Sequence, residues 1–427
     1  MFSKAKLFNF LLISVTTIVV GLAVIIYCHI FEELSFLAKA RFTINPYSGF
    51  IITPAMFWFS AYLCRRFSPN SSGANLQHIK DALDHSKPYA QNPKKISVFL
   101  SFRSAVFSFI SSLICVFGGG ALGREAPSVY ISASLFAGVA TKFKQKIPQI
   151  NMHNWIFAGT AIGLAAAFTA PLAGLAYVIE KILKNRQYNF KSNLFWVLVA
   201  MLSFEIFLRQ GKDILAVREL AFSFNDDMQM LLIILIAVVC GVLAYLLKIL
   251  SSYLRNKLMD IKSNFWHLVP IIAGLLVALI SLYAGKSSFG GGIESTKLVL
   301  NGAIDLGYKE VLGRIFNTLI NFISGPAGGM VAPAIAIGAG IAAVIGGIFI
   351  YSGVQILILS GMSAFLAIIL GEPVAAAIVI HEITDQPISN LPYLIFASII
   401  ATSSAKIIKR MASTKPSTRP FLLHRMK

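Results

Sequence analysis

Along this chain, long apolar stretches alternate with short connections that hold nearly all of the charge. Uncharged or nearly uncharged runs occupy Leu7–Ile30, Ile44–Cys64, Ser192–Leu208, Leu231–Leu247, Phe265–Ala284, Met330–Leu370 and Leu391–Ala405. A helix needs about 20 residues to cross the hydrocarbon layer, so several of these runs are long enough to span it. Others are short and interrupted by glycine or proline. The pattern predicts an all-α polytopic membrane protein in which some helices are complete and others broken. Composition agrees: the 427 residues are 56% hydrophobic and 13% charged, with a mean hydropathy of +0.74, well outside the range of soluble domains. The apolar stretch after Lys4 and Lys6 is too long for a signal-peptide core and lacks a small-residue cleavage site. It reads as a retained transmembrane helix.

The net charge of +19 invites a nucleic-acid reading, but its distribution follows the positive-inside rule. Basic residues gather in short connections, at Arg65/Arg66, Lys94/Lys95, Lys181/Lys184/Arg186/Lys191 and Arg255/Lys257/Lys262. The tail from Lys406 onward carries basic residues and no acidic one, whereas Arg209–Asp227 balances both signs. This places both termini in the cytoplasm of a cell membrane, in keeping with a bacterial inner membrane, and brings the tail near anionic lipid. No nucleic-acid partner is expected. Cys28, Cys64, Cys115 and Cys240 stand alone in apolar sequence, as buried thiols do. His78, Asp81 and His85 match no common zinc spacing and read as a solvated helix, so no metal or cofactor is expected.

The most informative stretch is Gly118–Tyr130, GGGALGREAPSVY. Proline is tolerated in the first turn of a helix, so Pro127 marks a helix start with Glu125 and Ala126 at its lip. Main-chain N–H groups there lack intrahelical partners and the positive end of the helix dipole faces outward, which makes an anion site. A carboxylate planted on such a site, with Arg124 beside it in an apolar chain, needs a functional or pairing reason. Further on, Gly159, Gly163, Ala166, Ala170 and Gly174 give the small-residue density that lets membrane helices approach closely.

The second half repeats the first. Gly123-Arg124-Glu125-Ala126-Pro127 lies over Gly329-Met330-Val331-Ala332-Pro333 at an offset of 206 residues. Pro171 and Glu180 lie over Pro373 and Glu382 at an offset of 202, with Gly159 over Gly361. Interrupted segments at corresponding places in two halves point to a repeat-built transporter whose site lies where broken helices meet. Non-helical backbone survives at that depth where it lines a polar cavity or is buried in protein. Glu382 reads as a helix-end residue with structural partners. Glu372, before Pro373, reads as a cap on a half-helix, because a carboxylate is favoured at a helix start.

These segments carry a resemblance. GREAP at Gly123–Pro127, SGPAGGMVAP at Ser324–Pro333, AAAFTAPLAGLAYVIEK at Ala165–Lys181 and the Gly290-Gly291-Gly292 turn are similar to the CLC family of chloride channels and chloride/proton antiporters. The order and spacing fit from about Ser71 to the C-terminus. The resemblance implies a CLC-like double repeat of inverted topology with many broken and tilted helices, and a homodimer with one pathway per subunit. It implies that Glu125 is a gating and proton-carrying glutamate that competes with a dehydrated anion. The anion would be held near Gly123, Arg124 and Ala126, and near Met330 and Val331, with Ser72 and Gly73 contributing from the segment that stands for the family's GSGIP motif. Departures are plain: Ser71 and Asn75 replace a glycine and a proline, and Val331 replaces a phenylalanine. The inner proton glutamate falls on Lys181, next to Glu180, and the coordinating tyrosine near the C-terminus is replaced by Thr418 or Ser413.

Other classes lack their machinery. Gly285-Lys286-Ser287 suggests a phosphate loop, but the glycine it requires falls on Ile280. Neither a GxSxG elbow nor an HExxH helix is present, so no hydrolase, and no enzyme, is expected. The chain reads as a single transmembrane anion-transport domain, 1–427. Residues 1–68 form N-terminal helices, 69–210 one repeat half, 228–408 the other, and 409–427 a short basic tail without a regulatory domain. The expected function is transport of chloride or a similar small monovalent anion. Proton antiport, a fluoride/proton antiporter of the same superfamily and a passive chloride channel remain open at this point.

Overall fold

A backbone in hydrocarbon has no water to satisfy its amide groups, so an apolar chain must close its hydrogen bonds within helices. The computed structural model describes residues 4–68, 73–86, 93–144, 151–184, 190–208, 220, 226–259, 264–303 and 306–413. Its first series of helices is α1 (Lys4–Ile44), α2 (Gly49–Phe67), α3 (Asn75–His85), α4 (Pro93–Phe99), α5 (Phe102–Phe117), α6 (Glu125–Phe143), α7 (Met152–Phe168), α8 (Pro171–Lys184) and α9 (Phe190–Leu208). The second is α10 (Asp227–Met259), α11 (Leu268–Ala284), α12 (Ile293–Leu300), α13 (Tyr308–Ile323), α14 (Val331–Ile348), α15 (Val354–Leu370), α16 (Pro373–Ile383) and α17 (Leu391–Ser413). The extended backbone is slight: β1 (Gly73–Ala74) pairs in parallel with β2 (Ala327–Gly328).

Among the described residues, 6 helices are long and apolar enough to cross a membrane. The 41 residues of α1 make a rod of about 60 Å at 1.5 Å per residue, roughly twice the hydrocarbon thickness, so it tilts or projects. By contrast α8 has 14 residues and α16 has 11, too few to cross. The apolar run Met330–Leu370 resolves into α14 and α15 around a turn at Phe349–Gly353, where Ile350 adopts φ 50°. Apolar turn residues hide that break from a hydropathy reading.

Equivalent residues of the two series meet at the centre. The N–H of Gly123 donates to the carbonyl of Gly329 at 2.8 Å, and the N–H of Gly329 returns a bond to Gly123 at 3.3 Å, in an antiparallel bridge. The Cys115 thiol donates to the side-chain oxygen of Asn321, its own equivalent, at 3.2 Å. Residue i meeting j while j meets i is what a two-fold axis imposes. Opposite chain sense at that contact makes the halves inverted copies.

The helices behind the centre are wrapped by protein. Every residue of α7 is buried, and its equivalent α15 lies among α10, α14, α16 and α17. Close approach rests on missing side chains: a Cβ at Gly163 would stand 2.6 Å from the Cα of Val129 on α6. Gly361 likewise lies against the main chain of Gly338 on α14. Helix pairs in lipid gain little from the hydrophobic effect and hold together through such backbone proximity.

Candidate functional site

The glycine-rich connections 118–124 and 324–330 end α5 and α13 early and start α6 and α14 inside the protein. Pro127 and Pro333 fall within the first turns of these helices, as expected of residues that need no hydrogen-bonding N–H. Glu125 opens α6 and is 1% exposed. Its Oε2 accepts a hydrogen bond from the N–H of Ala332, at the start of α14, at 3.2 Å. The carboxylate therefore sits where two helix starts face one another. Each start carries roughly half a positive charge, so the place suits a negative group. Gly123 is glycine because the carboxylate passes over it: a Cβ there would collide with Oε2 and lie 3.0 Å from the Ala332 nitrogen.

Arg124 turns away from Glu125. Its guanidinium pairs with Glu32 of α1 at 2.5 Å and donates to the carbonyl of Cys28 at 3.4 Å. The Glu32 side chain is 55% exposed, so the pair faces the surface. Sequence reasoning missed Glu32, although an acid inside a long apolar stretch was signal enough. Met330 and Val331 are buried at the start of α14 and Ala126 in the first turn of α6, all beside the carboxylate's position. The Gly290-Gly291-Gly292 turn packs over the same helix start, with Gly291 against Leu122 and Ala332. Arg314 of α13, buried, ties that turn down by donating to the carbonyls of Gly290 at 3.1 Å and Phe289 at 3.2 Å. Ser111 of α5, also unforeseen, accepts the N–H of Ala327 at 3.0 Å and steadies the second glycine-rich connection.

Glu180 and Lys181 lie at the other end of the molecule's centre, where α8 and α16 meet. Glu180 accepts the N–H groups of Val374 at 3.1 Å and Ala375 at 3.0 Å, at the start of α16. Its equivalent Glu382 accepts those of Leu172 at 3.0 Å and Ala173 at 2.6 Å, at the start of α8. Each half-helix thus closes the open start of the other, and Glu382 has the structural partners expected of it. The expectation that Glu372 caps α16 is corrected. It stands at the cap position but makes no side-chain cap bond there. Its carboxylate is drawn to Lys181 at 3.4 Å and to Lys184, because two ammonium groups outcompete one helix start.

Of the remaining expected anion ligands, Gly73 is held by its main-chain pairing with Ala327. Ser72 and Thr418, with Ser71 and the tail from residue 414, lie outside the described residues. Among the described residues no group of three or more His, Cys, Asp and Glu could hold a metal.

Two short helix starts facing each other across a two-fold axis, in a chain of long apolar helices, define a polytopic membrane protein of inverted repeats with its site at the broken helices. The chain belongs to the voltage gated chloride channel family, whose profile matches residues 55–406. It is 26% identical over 380 residues to the H(+)/Cl(-) exchange transporter ClcA of Klebsiella pneumoniae subsp. pneumoniae, covering 86% of this chain and 77% of the relative. It is 25% identical over 379 residues to ClcA of Yersinia pestis, covering 86% and 76%. The fold resembles a slow cyanobacterial Cl-/H+ antiporter, with TM-score 0.75, 19% identity and coverage of 97% of this chain and 99% of that one. A CLC-type fluoride/proton antiporter gives TM-score 0.75, 17% identity and coverage of 95% and 98%.

Proposed function

We propose that this protein moves chloride or a similar small monovalent anion across a membrane, and that the Glu125 carboxylate competes with the anion for one place. The observation that carries the reading is the bond from Ala332 N–H to Glu125 Oε2. When the carboxylate is neutralised or swings away, the N–H groups near Arg124–Ala126 and Met330–Val331 face an empty place suited to an anion. Amide dipoles can replace the modest hydration of chloride without burying a full cation. The exchange transporters named above support the chemistry by kinship.

Coupling to protons is weak or absent in this proposal. Glu180 is engaged with two main-chain N–H groups and with Lys184 at 3.4 Å. Lys181 brings a positive charge to the place where the resemblance expects a proton-carrying acid. The overall fold matches a chloride and a fluoride antiporter with equal TM-scores of 0.75, so it favours neither anion. Ser72 and Thr418 remain candidate ligands on sequence grounds. A homodimer in a bacterial inner membrane, with cytoplasmic termini, completes the reading. The outward-facing apolar residues Leu172, Leu183, Leu202 and Ile399 give a second copy a surface to cover.

The test is efflux from liposomes with chloride and proton electrodes in one chamber, comparing the wild type with Glu125→Gln. Anion efflux in both, with any proton movement lost in the variant, is the expected result. Proton flux that survives Glu125→Gln removes Glu125 from the proton's route, and absence of efflux of both chloride and fluoride removes the transport reading.

A further inference from the structure

A second cluster of hydrogen-bond donors lies away from Glu125, in a cleft between α3, α7 and α8. Its walls include Lys80, Phe157, Thr160, Tyr177, Val178 and Lys181. Donor accounting there leaves a gap. The Lys181 ammonium donates to the phenol oxygen of Tyr177 at 3.2 Å. An ammonium has no lone pair to offer, so the phenol's own hydrogen must find another acceptor. Tyr177 is 4% exposed, and a phenol buried to that degree normally has a partner. Among the described residues the phenol makes no bond to an acceptor: the Thr160 hydroxyl in the same wall donates to the carbonyl of Ile156 at 2.7 Å and does not engage Tyr177, and the other walls are apolar or cationic.

Charge around the cleft is unbalanced in the same sense. Lys181 shares the single carboxylate of Glu372 with Lys184. Lys248 of α10 donates to the carbonyls of Ile368 and Ile369 at the end of α15, and Lys80, Lys181 and Lys184 all stand near enough to act on it electrostatically. Glu180 holds the start of α16. The Glu372 carboxylate is therefore divided between two ammonium groups. Lys80, Lys184 and Lys248 reach solvent, whereas Lys181, with 26% of its side chain exposed, is the most covered of the four.

We propose that this cleft is a second anion site, in which a small monovalent anion such as a halide accepts the Tyr177 hydroxyl and balances Lys181. Phe157 and Val178 make one side of the site apolar, which suits a halide better than a strongly hydrated anion such as phosphate. The site stands independently of the gate assigned to Glu125. It places an anion at the position where the resemblance led us to look for a proton.

Crystals of the full chain grown in bromide provide the test, read by anomalous scattering. Bromide density within hydrogen-bond reach of Tyr177 Oη and Lys181 Nζ is expected, lost in Lys181→Met and weakened in Tyr177→Phe. A bromide peak beside Ala332 with none at Tyr177 overturns this site and leaves the transport reading standing. A peak at Tyr177 alone supports the site and counts against the transport reading. A Tyr177 peak unchanged in Lys181→Met overturns the proposal. In solution, calorimetric chloride binding by the solubilised chain should lose one equivalent in Lys181→Met and weaken in Tyr177→Phe, the milder change. Unchanged binding in both variants overturns the site.

Discussion

Replacing Gly123 by alanine is the sharpest test of the arrangement around Glu125. The added methyl group collides with Glu125 Oε2 and comes within 3.0 Å of the Ala332 nitrogen and 3.1 Å of the Ala332 Cβ. Main chain at a helix start yields less easily than the end of a three-torsion side chain, so the carboxylate moves. It thereby loses its bond from Ala332. A hydrogen bond to a charged group is worth about 1.5–3 kcal/mol, and the tight contact with Ala332 adds strain of about 1 kcal/mol to the protein as a whole. At about 1.4 kcal/mol per factor of ten, the carboxylate's hold on the place weakens by roughly 10- to 100-fold. Efflux of chloride from liposomes should rise near neutral pH. In the wild type, acid should raise efflux by neutralising the carboxylate; in Gly123→Ala that dependence should be shallow. The substitution should add little to Glu125→Gln, because the group it displaces no longer carries charge. A folded Gly123→Ala protein with wild-type flux and an unchanged pH profile would refute the reasoning.

Three further outcomes follow from other parts of the molecule. Glu180→Gln replaces the charged oxygen that accepts both N–H groups at the start of α16 with a neutral amide and should cost about 0.5–2 kcal/mol, as loss of a helix cap does; a selective loss of proton flux at unchanged thermal stability would instead make Glu180 a proton carrier. Lys181→Glu should raise proton coupling, measured as proton movement per chloride, since it puts an acid where the resemblance expects one; no change places the inner proton route elsewhere. Asp226, before α10, is held below the usual carboxylate range by bonds from the Gln229 N–H and the Tyr351 hydroxyl. Its stabilising effect is therefore present above the unfolded value of about 4 and lost as pH falls through the lower folded value. Tyr351→Phe should lower the thermal midpoint at neutral pH, with a deficit that shrinks in acid; an equal deficit at both pH values excludes the Asp226 contact as its cause.

How much of this was legible in the sequence depended on whether the cause was local. The early ends of α5 and α13, the starts of α6 and α14, and the position of Glu125 on a helix start all follow from glycine, proline and acid in a few adjacent residues. The partners of those residues did not. Glu180 reaches Val374 and Glu382 reaches Leu172 across nearly half the length of the chain, and nothing near either residue announces its partner. Glu372 shows the limit from the other side. Its local setting before Pro373 argues for a cap, yet the ammonium groups of α8 decide its bonds. Arg124 likewise pairs with Glu32, far back in α1, and not with the glutamate beside it.

The repeat offers a way to separate scaffold from working parts. Where both halves keep the same residue, the contacts are reciprocal and structural: Gly123 with Gly329, and Glu180 and Glu382 each closing the other's helix. Where the halves differ, one residue acts alone. Glu125 has Val331 as its equivalent, Arg124 has Met330, Lys181 has Ile383 and Glu372 has Ala170. A pathway built on a perfect two-fold would present the same chemistry to both sides of the membrane. A gate on one side needs a group that breaks the symmetry, placed where the symmetric parts hold it still. Glu125, the gate under the proposed function, meets both conditions, seated between two helix starts that the glycine bridge locks together. Lys181 meets them at the opposite end, beside Glu372 and above the mutual caps of α8 and α16. The substitutions with the largest effect on transport should therefore fall on the unmatched residues, and those with the largest effect on folding on the matched ones.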